Sequence, residues 1–120
     1  MKVGDTARKS RVFSPDEIGY LNRLTGCTSP IDTIPEPLIN SMFSELLGMS
    51  LPGPGTNYLK QETRFLGQAR PGEELSANVE ITRLRPEKHL VDLATRCVGA
   101  DGRLIAEGRA LVLFVNQHAN

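Results

Sequence analysis

The sequence predicts an α+β domain in which four long antiparallel strands curl around one apolar helix. Three observations carry that expectation. Helical spacing of apolar residues is confined to the first half of the chain, and strict alternation takes over after Leu51-Pro52-Gly53-Pro54-Gly55. Between them lies a helix with six large apolar side chains in ten positions, more than a surface helix needs, so the rest of the domain is expected to wrap it. Long, twisted strands can supply that cover only if the sheet wraps over the helix.

The first helix is signalled at Ser14-Pro15-Asp16-Glu17, where a Ser three positions before a Glu, with Pro at the first helical position, makes a capping box. Ile18, Tyr20, Leu21 and Leu24 form its apolar face, and Gly26 closes it. The preceding Thr6 to Phe13 is short and mixed in character. After Gly26 comes a Pro-rich loop, Cys27 to Pro37. The second helix is the clearest element, with Leu38, Ile39, Met42, Phe43, Leu46 and Leu47 at helical spacing and Gly48 where a left-handed cap would end it. Asn40, Ser41, Ser44 and Glu45 fill its other face.

In the first of the four strands Leu59, Gln61, Thr63 and Phe65 share one face, and Lys60, Glu62 and Arg64 the other. Arg70-Pro71-Gly72 turns the chain into a second strand, with Leu75, Ala77, Val79 and Ile81 on one side. The third runs from about Lys88 to Val98, and Asp101-Gly102 makes the hairpin to the fourth, Arg103 to Val115. Leu111 to Val115 are apolar on both faces, which predicts a central strand or one covered by a second subunit. No repeat or linker divides the chain, so residues 1–120 are expected to form one domain.

Composition narrows the function. The 120 residues carry 14 Lys and Arg against 14 Asp and Glu, with no basic cluster longer than two. Nucleic acid is therefore not an expected partner. No apolar run is long enough for a membrane span or a secretory signal, so a cytoplasmic protein is expected. Cys27 and Cys97 lack CxxC partners and read as free thiols, with Cys97 buried in an alternating strand. The two His and two Cys match no metal-ligand spacing, and Gly53-Pro54-Gly55 lacks the Lys-Ser/Thr of a phosphate loop, so no metal or cofactor is expected.

The stretch from Leu46 to Phe65, LLGMSLPGPGTNYLKQETRF, resembles the helix end, LPG turn and Y-L-x-Q-x-x-x-F strand of MaoC-like (R)-specific enoyl-CoA hydratases. The resemblance continues through Arg70 to Leu75 and the Gly99-Ala100-Asp101-Gly102 hairpin. Upstream, Leu24-Thr25-Gly26-Cys27-Thr28-Ser29-Pro30-Ile31-Asp32 is similar to the family's L-S/T-G-D-x-N-P-x-H segment. It implies a hot-dog fold, a homodimer, and an acyl thioester on CoA or a carrier protein as ligand. Tyr58, Asn57 and Gln61 fall on the strand that lines the family's acyl-thioester cleft.

The departures fall on the chemistry. The family's catalytic Asp and His positions are Cys27 and Asp32 here, and the Asn position is Ser29. The family also has a longer segment before the central helix, ending in an H-G-M turn whose Gly amide polarises the thioester carbonyl; this chain has Thr33 to Pro37. Leu38 or Ile39 is left to present a backbone N–H at the helix start, since Pro37 has none. Asp32 is the candidate base, because desolvation can raise a carboxyl pKa toward neutrality; the alternative role is capping the turn at Ser29-Pro30. Cys27 is a candidate nucleophile without a visible activating cation, and otherwise fills space after the first helix. Ser29 and Ser41 have no His to act as base. The expected function is thus an acyl-thioester-binding protein of hydratase design with atypical or lost hydratase activity. Its alternatives are a carboxylate-dependent thioesterase and a non-catalytic acyl-binding or partner subunit.

Overall fold

A computed structural model describes residues 1–26 and 33–115. Among them are five strands, two α-helices and one 3-10 turn, in the order β1 (Thr6–Val12), α1 (Pro15–Thr25), α2 (Glu36–Met49), β2 (Thr56–Phe65), β3 (Glu74–Arg85), the turn Pro86–Lys88, β4 (Leu90–Val98) and β5 (Leu104–Phe114). All strand pairings are antiparallel, and the sheet order is β1-β3-β4-β5-β2.

The expected capping box is present: Ser14 Oγ accepts from the Glu17 N–H at 3.1 Å, and Glu17 Oε1 accepts from the Ser14 N–H at 3.2 Å. Gly26 ends α1 in the left-handed region. Of its expected apolar face only Ile18 is buried; Tyr20 and Leu24 are exposed. Ile39, Met42, Phe43, Leu46 and Leu47 of α2 are buried against Leu75, Val79, Ile81, Leu93, Ile105 and Val112 of the sheet. Burying each such side chain contributes roughly 1.5 to 3 kcal/mol, which makes this helix the main source of cohesion. Gly48 does not cap α2. The helix runs on to Met49, and the Leu46 carbonyl accepts from both the Ser50 and Leu51 N–H groups, so the turn closes on backbone bonds.

The Thr6 to Phe13 stretch is a strand, β1, paired with β3 from Thr6↔Glu80 to Val12↔Glu74. Alternation of hydrophobicity does not mark it because it is an edge strand whose helix-facing side chains are one Ala, Ala7, and two cations, Lys9 and Arg11. Lys9 pairs with Glu45 of α2, and Arg11 reaches Glu17 of α1 at 2.8 Å while stacking over Phe13. The last strand is central, as expected, with β4 on one side and β2 on the other. His89 precedes β4 in the left-handed region, after the 3-10 turn, rather than within the strand. Among the described residues no helix is long and apolar enough to cross a membrane.

Two irregularities shape the β2 side of the sheet. The register shifts between Tyr58 and Lys60, so Leu59 is the extra residue of a bulge. Leu59 was expected to share a face with Gln61, Thr63 and Phe65; instead Tyr58, paired with the buried Val112, takes that place and Leu59 is 55% exposed. Further along, Gly108 of β5 lies under the β2 backbone. A Cβ at this position would collide with the Glu62 carbonyl oxygen and come within 2.9 Å of Thr63 Cα. Neither obstacle is a movable side chain, so the close approach of β2 requires glycine.

Gly108→Ala is accordingly expected to cost about 2 kcal/mol or more, measured by urea unfolding, because the added methyl must displace backbone. An unchanged midpoint would contradict the tight β2–β5 approach.

Candidate functional site

The second helix begins on residues that constrain its N-terminus. Pro35 is the N-cap and lacks a side-chain hydrogen bond, Glu36 complements the positive end of the dipole, and Pro37 tolerates the missing intrahelical donor. The Leu38 N–H donates to the Pro35 carbonyl at 3.0 Å, so an incoming oxyanion would compete with that bond. The Leu38 side chain is half-buried and lines an apolar hollow of about 400 Å³ with Tyr20, Leu21 and Leu24 of α1. Ile39 is buried in the core.

On another side of the same helix, α2 meets β2 along a polar seam. Asn40 and Ser44 are four residues apart and share one face of α2. The Tyr58 phenol donates to the Ser44 carbonyl at 2.8 Å, and the Thr63 hydroxyl donates to Asn40 Oδ1 at 3.0 Å. Gln61 lies between Tyr58 and Thr63 on the helix-facing side, because its cross-strand partner Ala110 is a core residue. Its neighbours Lys60, Glu62 and Arg64 alternate to the outer face, where Arg64 pairs with Glu107 at 2.9 Å and Arg109 with Glu62 at 3.3 Å. These ion pairs border an outer-face groove of about 570 Å³ in which the opposite charges largely satisfy one another.

The residues singled out in the sequence thus separate into groups. Tyr58 and Gln61 come together in the seam. Asn57 stands next to Tyr58 in the strand and points to the opposite face, paired with Leu113. Leu38 and Ile39 lie in the first turn of α2, Leu38 facing α1 and Ile39 buried in the core. Cys27, Ser29 and Asp32 lie outside the described residues. Asn40, Ser44 and Thr63 were not singled out as site residues. Their signals were present: Asn40 and Ser44 at helical spacing, and a Thr on a strand face otherwise turned to the core.

The seam can bind and orient but has no general base. Asn40, Ser44, Gln61 and Thr63 are neutral at all working pH values, and the Tyr58 hydroxyl is already donating. Among the described residues no group of three or more His, Cys, Asp or Glu could hold a metal. The buried Cys97 is also unsuited to chemistry: burial, aided by the nearby Glu73 carboxylate, pushes its thiol up to about 11.

No protein-family model matches the chain. The chain is 33% identical over 126 residues to the (R)-specific enoyl-CoA hydratase of Aeromonas caviae, covering 93% of this chain and 94% of that one. It is 41% identical over 127 residues to the (R)-specific enoyl-CoA hydratase of Rhodospirillum rubrum, covering 94% and 88%. The solved structure of the (R)-hydratase from A. caviae involved in PHA biosynthesis superposes with a TM-score of 0.90 at 32% identity, over 96% of this chain and 98% of that one.

Cys97 generates a pH prediction. In the unfolded chain its thiol ionises near its ordinary value, 9.0, whereas the fold keeps it protonated to about 11. The stability this contributes is complete below pH 9 and is lost as the pH rises toward 11, roughly 2 to 3 kcal/mol in all. Urea midpoints at pH 8 and 10.5 should fall apart more for the native sequence than for Cys97→Ala; equal slopes would refute it. The agreement in sequence and in three-dimensional structure extends over nearly the whole length of both proteins, and the chain belongs to the MaoC-like (R)-specific enoyl-CoA hydratase family of hot-dog proteins.

Proposed function

We propose that this protein binds an acyl thioester, on coenzyme A or a carrier protein, as a homodimer, and that its hydratase chemistry is altered or lost. The observation that carries the binding reading is the near full-length identity to two proteins named as (R)-specific enoyl-CoA hydratases. The thioester carbonyl is placed at the start of α2, where the helix dipole favours a developing negative charge. The acyl chain extends along the α2–β2 seam, and the apolar hollow beside Leu38 gives cover on the other flank.

Altered chemistry follows from the residues present. Hydration adds water to C3 of a 2-enoyl thioester, moves the π electrons into an enolate, and returns a proton to C2. With Cys27 and Asp32 at the family's Asp and His positions, Asp32 alone must take the proton from water and return it. It precedes the first residue of α2 by four positions. The oxyanion position is weakened as well, since the Leu38 N–H is engaged by Pro35. The alignment with the Aeromonas relative spans 126 positions while using 93% of a 120-residue chain, so that relative has residues without a counterpart here, in accord with a shortened segment before α2.

The homodimer reading is supported by the outer edge of β2, which pairs with no strand among the described residues, and by the exposed apolar side chains Leu59 within β2 and Leu66 just after it. An unpaired strand edge beside apolar surface is a template for a second chain.

Incubation with short and medium 2-enoyl-CoAs and saturated acyl-CoAs, followed by mass spectrometry, tests the reading. Water addition is expected to be about 100-fold or more slower than for the Aeromonas relative assayed alongside, the scale of one general acid–base contribution, and to vanish in Asp32→Asn. Turnover unchanged by that substitution would reject Asp32 as base. Free CoA as the product would favour a thioesterase, and binding without turnover a non-catalytic acyl-binding subunit. Sedimentation equilibrium should give a dimer that Leu59→Arg weakens; a monomer at micromolar concentration would reject the dimer.

A further inference from the structure

The loop between β2 and β3, residues 66–73, has no regular structure, yet Ala69 in its middle is 1% exposed. Backbone bonds to other segments secure its ends: the Leu66 and Gly67 N–H groups donate to the Ile105 carbonyl, and the Gly72 N–H donates to the Phe13 carbonyl. The middle is held by an ion pair. Arg103 Nη2 donates to the Gln68 carbonyl at 2.8 Å and to Glu73 Oε1 at 3.1 Å, and the same Glu73 oxygen accepts from the Arg70 N–H at 3.2 Å. The peptide groups before and after Ala69 are therefore both fixed by one Arg–Glu pair. Arg103 Nη1 is anchored in turn by the two Asp101 carboxylate oxygens, at 2.9 and 3.0 Å. Gly99 leaves room for the pair, since a Cβ there would come within 3.1 Å of Glu73 Oε2 and 3.3 Å of Arg103 Nη2.

We infer that Arg103 and Glu73 are positioning residues for the start of α2, and through it for the thioester carbonyl of a bound ligand. The inference rests on the reading above that places this carbonyl at the start of α2. The Ala69 carbonyl and the Arg70 N–H belong to one planar peptide and point in opposite directions, so gripping the N–H aims the carbonyl. That carbonyl accepts from the Ile34 N–H at 2.8 Å, and Ile34 directly precedes Pro35, the N-cap of α2. Pro35 gives the helix no side-chain hydrogen bond, so the direction of the N–H groups in the first turn depends on how the chain enters it. The buried Ile34 side chain fixes where the chain enters, and the bond to Ala69 fixes how its peptide is turned. A small rotation there re-aims the helix N–H groups, and hydrogen bonds weaken steeply with angle. The Arg103 side chain is 39% exposed, so the pair adds little to global stability and its effect is local.

The test uses butanoyl-CoA isotope-labelled at the carbonyl carbon, with the intact protein, Arg103→Met, Glu73→Gln and the double variant. Infrared difference spectra are expected to show the carbonyl stretch of the bound ligand lowered in the native protein and less lowered in each variant. Affinity should fall about five-fold in either single variant and no further in the double one, because both residues act through one peptide. Hydrogen exchange of the Ile34 amide should quicken while that of Leu93, in the central strand β4, keeps its rate. An unchanged carbonyl stretch and unchanged Ile34 exchange in both single variants would overturn the inference while leaving the placement of the thioester intact. So would affinity losses that add in the double variant, or faster exchange at Leu93, which would make the pair a general stabiliser. A native spectrum identical to that of free butanoyl-CoA would reject the placement at α2 and the inference with it. Failure of butanoyl-CoA to bind the native protein would reject the acyl-thioester reading itself.

Discussion

The structure depends on the burial of α2. Its buried residues, Ile39, Met42, Phe43, Leu46 and Leu47, recur at helical spacing along one broad face, and the twisted sheet packs against that face. β3, β4 and β5 contribute the buried rows, while β1 and β2 close the two sides. The two closing strands do so differently. On the β1 side, Lys9 and Arg11 reach across to carboxylates on the helices. On the β2 side, the sheet closes by backbone approach over Gly108 and by side-chain bonds to Asn40 and Ser44.

That asymmetry positions the candidate site. A fully apolar β2 face would have sealed against α2 and left no room for a ligand. Tyr58 and Thr63 meet the helix through hydrogen bonds, which hold the geometry of the β2–α2 contact. Of its two hydrogen bonds, the Thr63–Asn40 pair is the one nearer the first turn of α2.

Most of the fold was legible because periodicity reports burial. The apolar spacing of α2, the capping box at Ser14 and the alternation in β3 and β4 each reflect a local rule with a large energetic consequence. β1 escaped that reading because two of its three inward residues are cations satisfied by residues 36 and 6 positions away in sequence, Glu45 for Lys9 and Glu17 for Arg11. The family resemblance was legible for the same reason as the strands, since the LPG turn and the Tyr58 to Phe65 pattern are contiguous. Part of the site was legible in the same way: Tyr58 and Gln61 follow from the strand motif. Asn57 shares that motif, and only alternation across a real pleat shows that it faces away from them.

The sequence by itself determined the class of fold, the identity of the central helix and the family. Each of these is written in adjacent or regularly spaced residues. The tertiary structure alone decided which of the strand residues meet the helix. The bulge at Leu59 rotates Tyr58 inward, the bare Cα of Gly108 lets β2 descend onto α2, and the pairing of Thr63 with Asn40 joins residues 23 positions apart. A one-residue bulge reverses the facing of every side chain beyond it, and no local propensity encodes where a strand will be pressed close enough to need glycine.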